Sequence, residues 1–283
     1  MTVHLEIHEH RIGLKINGAP EIADQWRAYV GAKSIDYAEF DTCDIRLAAE
    51  LAPTWTNDRQ EEGIRFTSAS EGIGQVHVDR PLVSGVLENG ANGLSGTFKL
   101  NGDGPQALDG LAAFALSLLC AMKGDLLLHS SAVVRGDGAC LFLGPSGSGK
   151  TTVALDLGGG AAAMSVDTTL ITTGSEHRIV AHGTPFSDTK QAITGPRHLP
   201  VRGLFFLEQA DHHEVTRLSA WEATRNLVRN AIIHGDTKES TARSMRMVGE
   251  IVDLGRSYRL GFRRDAGFWP LVDDALRESA GKQ

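Results

Sequence analysis

The chain has 283 residues, 41% of them hydrophobic and 22% charged, as expected of a folded protein with one large domain or two ordinary ones. Its net charge of −7 speaks against a sequence-independent nucleic-acid surface, which needs clustered Lys and Arg to displace counterions. Cys43, Cys120 and Cys140 are sparse, odd in number and without metal-type spacing, which points to a reducing compartment.

Residues 1–6 show no charged start leading into an apolar run, so no secretory signal is expected. Val3, Leu5 and Ile7 alternate with polar residues, as do Ile12, Leu14 and Ile16, and both runs predict strands. The second ends at the turn pair Asn17-Gly18. On this reading His4, Glu6, His8 and His10 share one strand face, and a solvated face explains them better than a metal site. A short helix over 22–30 follows Pro20. Strands are then expected at 44–51, 63–68, 75–79 and 94–100, with loops at 89–93 and 101–104.

From Leu108 the character changes. A helix with Asp109 near its start ends at Gly124, and its apolar stretch at 111–122 is too short to span a bilayer. Strands at 126–129, 131–134 and 139–143 follow, the last two flanking the turn Arg135-Gly136-Asp137-Gly138, which predicts an antiparallel hairpin. The segment Gly144-Pro145-Ser146-Gly147-Ser148-Gly149-Lys150-Thr151 then fits G-x-x-x-x-G-K-[ST] at every fixed position, between a buried strand and a helix over 151–157. Glycines there let backbone N–H groups turn toward phosphate oxygens, and the helix N-terminus adds partial positive charge. Lys150 would neutralise the β- and γ-phosphates and Thr151 would ligate Mg²⁺, with Thr152 completing the cradle. Further on, a strand over 162–166 leads to Asp167, and another covers 168–172. Residues 204–207 form an apolar strand. Ser219 and Glu222 make a capping box opening a helix to about 233. A helix over 239–254, a strand over 258–262 and a helix over 268–277 close the chain.

The stretch from Leu126-Leu127-Leu128-His129 through the loop at 144–151 resembles the HPr kinase/phosphorylase catalytic domain, whose fold resembles the phosphoenolpyruvate carboxykinase core. Gly183-Thr184-Pro185-Phe186-Ser187, Phe205-Phe206-Leu207-Glu208 and Phe268-Trp269 have counterparts in diverged proteins of that kind. The resemblance implies an α/β P-loop domain with a mixed sheet at 105–283. The strand alternation and turns before it read as a smaller α+β module at 1–104, an appended element suited to acceptor recognition. The resemblance also implies ATP (GTP being open) and Mg²⁺ as cofactors, Asp167 as the base, His129 beside the phosphates, and Thr151 with Asp167 at the metal. Thr168 stands where that family has a second aspartate, and Pro200 where it has a glutamate. The expected activity is phosphoryl transfer to a Ser or Thr hydroxyl of a small protein or peptide in the cytoplasm. A nucleotide-sensing module with little turnover, or a small-molecule kinase, is the alternative. Self-association is implied by the resemblance alone; no nucleic-acid or membrane partner is expected.

Overall fold

The computed structural model describes residues 1–280 apart from 32, 35, 52–62, 69–72, 81, 91–92, 102–104, 158–160, 187–194, 196 and 235–236. It is a mixed α/β protein with two mixed sheets. Contacts divide it into two units, Met1–Lys123 with His234–Ala242, and Gly124–Ile233 with Arg243–Gln283.

The first unit runs β1 (Thr2–Ile7), β2 (His10–Asn17), α1 (Pro20–Val30), β3 (Lys33–Ser34), α2 (Tyr37–Asp41), β4 (Ile45–Leu51), β5 (Gly63–Ser68), β6 (Ile73–Arg80), β7 (Val83–Gly90), β8 (Gly93–Leu100) and α3 (Gln106–Lys123). Among the described residues the strand order is β3-β1-β2-β4-β8-β7-β6-β5, with β2, β4 and β8 parallel and the other pairs antiparallel. The expected alternation holds in β1 and β2, where Val3, Leu5, Ile7, Ile12, Leu14 and Ile16 are all buried.

The shared face of His4, Glu6, His8 and His10 does not form. β1 ends at Ile7, His8 turns the chain with a φ of 56°, and His10 opens β2 opposite Ile7. β7 is a strand that the sequence pattern does not announce, because glycine interrupts its apolar positions. At Gly85 the backbone of β8 approaches so closely that a Cβ would lie 2.3 Å from the Thr97 carbonyl oxygen. In place of a loop over 89–93, β7 reaches Gly90 and β8 starts at Gly93. Of the loop expected at 101–104, residues 102–104 lie outside the described residues.

Helix α3 forms as expected and ends at Gly124, which has a φ of 89°. It packs on β2 and β7, and Trp26 Nε1 donates to Asp109 Oδ1 at 2.6 Å. Those contacts place it in the first unit, so the division falls after Lys123, whereas the sequence suggests 104/105. Among the described residues α3 is the one helix long and apolar enough to cross a membrane, and most of it is buried inside the protein.

The second unit contains β9 (Leu126–Arg135), β10 (Gly138–Leu143), β11 (Ala163–Ser165), β12 (Thr168–Thr173), β13 (Ile179–Gly183), β14 (His198–Gln209), β15 (Glu214–Arg217), α4 (Ala220–Asn230), β16 (Ala231–Ile232), β17 (Ser257–Phe262), α6 (Trp269–Ala280) and, from Arg243 onward, α5 (Lys238–Asp253). The predicted hairpin is β9–β10, antiparallel from Gly138↔Arg135 to Leu143↔Ser130. The two strands expected at 126–129 and 131–134 are one continuous β9. On its other edge β10 pairs in parallel with β14. β14 pairs with β13 through Pro200, then with β10 from Val201 onward, so β10, β9, β12, β13 and β14 close a ring of pairings.

Both faces of β10 are covered. Ala139, Leu141 and Leu143 join one apolar cluster with Leu227 of α4 and Ile251 of α5. Cys140 and Phe142 join the other, with Phe268, Trp269 and Val272. This double burial explains the uninterrupted apolar run of β10 and fixes the point from which the next loop leaves.

Candidate functional site

Leu143 is the last residue of β10, and the chain then turns through 144–149 into a helix at Lys150. The turn needs glycine at three places. Gly144 has a φ of 155° with a would-be Cβ 2.6 Å from Ser148 Oγ. Gly147 has a φ of 78°, and Gly149 has a φ of 103° with a would-be Cβ 2.8 Å from Phe262 Cζ. Lys150 and Thr151 are helical, but residues Thr152–Asp156 form a π-helical turn, closed by Leu157 N donating to Thr152 O at 2.9 Å. The helix that the sequence predicts over 151–157 therefore forms, with a π-type pattern from Thr152. Trp269 Nε1 donates to the freed Leu157 carbonyl at 2.5 Å, which anchors the end of this turn.

Lys150 is only 6% exposed. Its Nζ donates to the carbonyl oxygens of Gly144 at 2.8 Å and Pro145 at 3.1 Å, leaving one of three donors for another acceptor. Burial pushes the Lys150 ammonium below the usual lysine range, and the negative charge of Asp167 pulls it part of the way back. A desolvated cation of this kind favours an anion beside it. Ser148 adds a second such group: its residue is buried and its Oγ has no hydrogen-bond partner. Thr151 is exposed on the first turn, Thr152 is half-buried, and Pro145, Ser146 and Gly147 are exposed along the loop.

Asp167 lies between β11 and β12, and His129 is on β9. The β9–β12 register sets Thr168 opposite His129, which carries the adjacent Asp167 carboxylate to the imidazole: Asp167 Oδ1 is 3.3 Å from His129 Nδ1. Both side chains keep about a third of their surface exposed, at 36% and 35%. Thr168 is different. It is buried, and its Oγ1 is 2.6 Å from Thr184 Oγ1, which in turn donates to the Thr168 carbonyl at 2.7 Å. Its hydroxyl is therefore occupied within the protein. Thr184 and Phe186 of the 183–187 motif are buried, while Ser187 lies outside the described residues. Pro200 pairs with β13 one residue before β14 meets the start of β10, at the strand end opposite the loop. The carboxylate that β14 does bring to the loop's end is Glu208.

Several site residues have no motif that announces them. Asn230 ends α4 and accepts the Gly144 N–H on its Oδ1 at 3.0 Å, across 86 residues of sequence. Gln209 Nε2 donates to the Gly147 carbonyl at 3.0 Å. The capping box at Ser219 and Glu222 correctly opens α4, but the helix stops at Asn230, because Ala231 and Ile232 pair as β16 with Leu128 and Leu127 of β9. That pairing takes up the β9 edge where β10 ends, so Asn230 arrives beside Gly144. Residues 144–148, Phe206–Gln209 of β14, and Asn226, Arg229 and Asn230 of α4 line a cleft of about 600 Å³.

Asn230→Ala leaves the buried Gly144 N–H without its acceptor, and should cost about 1–3 kcal/mol of stability. Asn230→Asp keeps an acceptor there and should lose less. Chemical denaturation of the three proteins checks this; equal midpoints and slopes for all of them would remove Asn230 from the loop's support.

Together the residues can hold an anion over the loop, with the Asp167 carboxylate close enough to act on the Lys150 charge and an imidazole beside that carboxylate. Among the described residues no three His, Cys, Asp or Glu side chains gather as a metal site formed by the protein alone. Residues 112–277, more than half of the chain, match the family described as SynChlorMet cassette protein ScmC. No curated protein matches the chain.

Proposed function

We propose, for a chain that belongs to the SynChlorMet cassette protein ScmC family, that it is an HPr-kinase-like P-loop phosphotransferase acting on a hydroxyl of a small protein or peptide. The observation that carries this reading is the buried Lys150 ammonium over the 144–149 turn, with the His129–Asp167 pair on the neighbouring strands. A triphosphate fits this cradle: the glycine conformations, the orphaned Ser148 hydroxyl and the under-compensated Lys150 all favour phosphate oxygens. Loop contacts of this kind read phosphates and not a base, so ATP is proposed by resemblance, and GTP would meet the same groups.

Magnesium suits the two oxygen donors, the exposed Thr151 hydroxyl and the partly exposed Asp167 carboxylate, because it takes few protein ligands and shares phosphate oxygens. When bound it would supply charge neutralisation of the β- and γ-phosphates. The protein's own part is positioning and one proton. Lys150 holds phosphate charge, and Asp167 accepts the proton of the attacking hydroxyl. The acceptor oxygen forms its bond to the γ-phosphorus as the bond to the β–γ bridging oxygen breaks, and that oxygen keeps the electron pair. His129 beside Asp167 orients the carboxylate.

A second reading, a nucleotide-sensing module with little turnover, is favoured by Thr168. Its hydroxyl is spent on Thr184, and it stands where the resembled family has a second aspartate. Incubation of the purified protein with γ-labelled ATP and Mg²⁺, with and without lysate of its source, separates the two. Label on a protein or peptide supports the kinase. Tight ATP binding with neither transfer nor hydrolysis supports the sensor, and no binding at all sinks both.

A further inference from the structure

We infer that the phosphoryl acceptor docks along the exposed face of α4 as a peptide segment with acidic side chains around an apolar anchor; this rests on the kinase reading above. α4 buries Ala223 and Leu227 against the core. At 100° per residue the opposite side of the helix holds Trp221, Arg225, Val228 and Arg229, and all four are exposed. Trp221 is 73% exposed and Val228 38%. A tryptophan this open, on a helix face that also exposes Val228 two turns further on, is the kind of surface that a partner covers.

The charge on this face is unbalanced. Among the described residues the ion pairs of this region are those of Arg259 with Glu208 and with Glu222, and neither takes up Arg225 or Arg229. The nearest helix carboxylate, Glu222, influences Arg225 through space but has its oxygens taken. They accept from the Ser219 N–H at 3.0 Å, the Ser219 hydroxyl at 2.7 Å and Arg259 at 3.4 Å. On a chain of net charge −7, Arg225 and Arg229 on one helix face form a local positive strip. Arginine there suits carboxylates through paired N–H donors, and a basic partner would be repelled.

The strip has a direction. Arg229 also lines the cleft beside the 144–148 loop, whereas Trp221 and Arg225 stand outside it. A nucleotide seated on the loop therefore does not account for the outer pair. From Trp221 to Arg229 the helix rises about 12 Å, the length of roughly four residues of extended peptide. A short segment anchored at Trp221, with carboxylates on Arg225 and Arg229, would bring a following hydroxyl to the loop. The module expected at 1–104 is then not needed for the contact nearest the chemistry.

Fluorescence polarisation of two fluorescein-labelled ten-residue peptide pools against the full chain tests this. Each pool has a central Ser and one Leu or Phe, with Asp/Glu at the remaining positions of one and Lys/Arg at those of the other. The acidic pool should bind about tenfold tighter than the basic pool. Arg225→Glu should cut that ratio at least about threefold, and Trp221→Ala should weaken the acidic pool at least about threefold, with melting temperatures kept. Equal binding of the two pools, or an unchanged ratio in Arg225→Glu, overturns the proposal. So does a homodimer that Trp221→Ala dissociates, which would assign the face to a second copy. ATP affinity measured on the same wild-type sample keeps the two readings apart. Lost ATP binding with the acidic preference intact sinks the kinase alone, and intact ATP binding without preference sinks the docking face alone.

Discussion

Asp167→Asn should leave nucleotide binding nearly intact while phosphoryl transfer falls by about 10²–10⁴-fold, the usual weight of one general base. Asparagine keeps the size and hydrogen-bonding reach of the side chain but removes its charge and basicity. The neighbouring His129 Nδ1, 3.3 Å from Asp167 Oδ1, can still find a carbonyl oxygen in the variant, so the loop between β11 and β12 should keep its shape. The alternative role is a metal ligand only. In that case binding and transfer should weaken together, and excess Mg²⁺ should partly restore both. Single-turnover transfer and calorimetric ATP binding across a Mg²⁺ series distinguish the two outcomes. Normal transfer at ordinary Mg²⁺ would remove both roles, and with them the acidic group on which the kinase reading depends.

Lys150→Ala should weaken ATP binding strongly. Each charge-assisted hydrogen bond that the ammonium gives a phosphate is worth about 1.5–3 kcal/mol, or about 10–150-fold in affinity. The effect is expected near the upper end, because Lys150 is buried and its attraction for an anion is poorly screened by water. The substitution also removes the donor to the Gly144 and Pro145 carbonyls, so some loss could come from a loosened turn. Lys150→Met keeps most of the side-chain volume without the charge. Both variants should lose affinity alike if charge is the cause, whereas calorimetry showing unchanged ATP affinity in both would refute the phosphate-cradle assignment.

Much of the local structure is legible in the sequence. The alternation in β1 and β2, the hairpin at 135–138, the apolar β10 and the capping box of α4 all appear where the residues indicate. The misses share a cause. β7 hides because Gly85 serves close strand approach and supplies no apolar signal. The apolar pattern marks only 204–207 of β14, which runs over His198–Gln209, since its flanks carry Pro200, Arg202 and Glu208. β13, β15 and β16 are short, and their pairing with distant strands defines them more than their composition does.

What the sequence by itself determined is the turn at 144–151: glycine at positive-φ positions, a lysine at the helix start and a doubly buried strand before it. Those are constraints on neighbouring dihedrals and on one strand's burial, and a few residues encode them fully. The tertiary structure alone decided that Asp167 meets His129, that Asn230 holds Gly144, that Thr168 is spent on Thr184, and that α4 leaves Trp221, Arg225 and Arg229 uncovered. Each of these depends on strand register or on which helix face is buried. Register is selected by the summed burial of whole strands, so no single residue announces which distant side chain it will face.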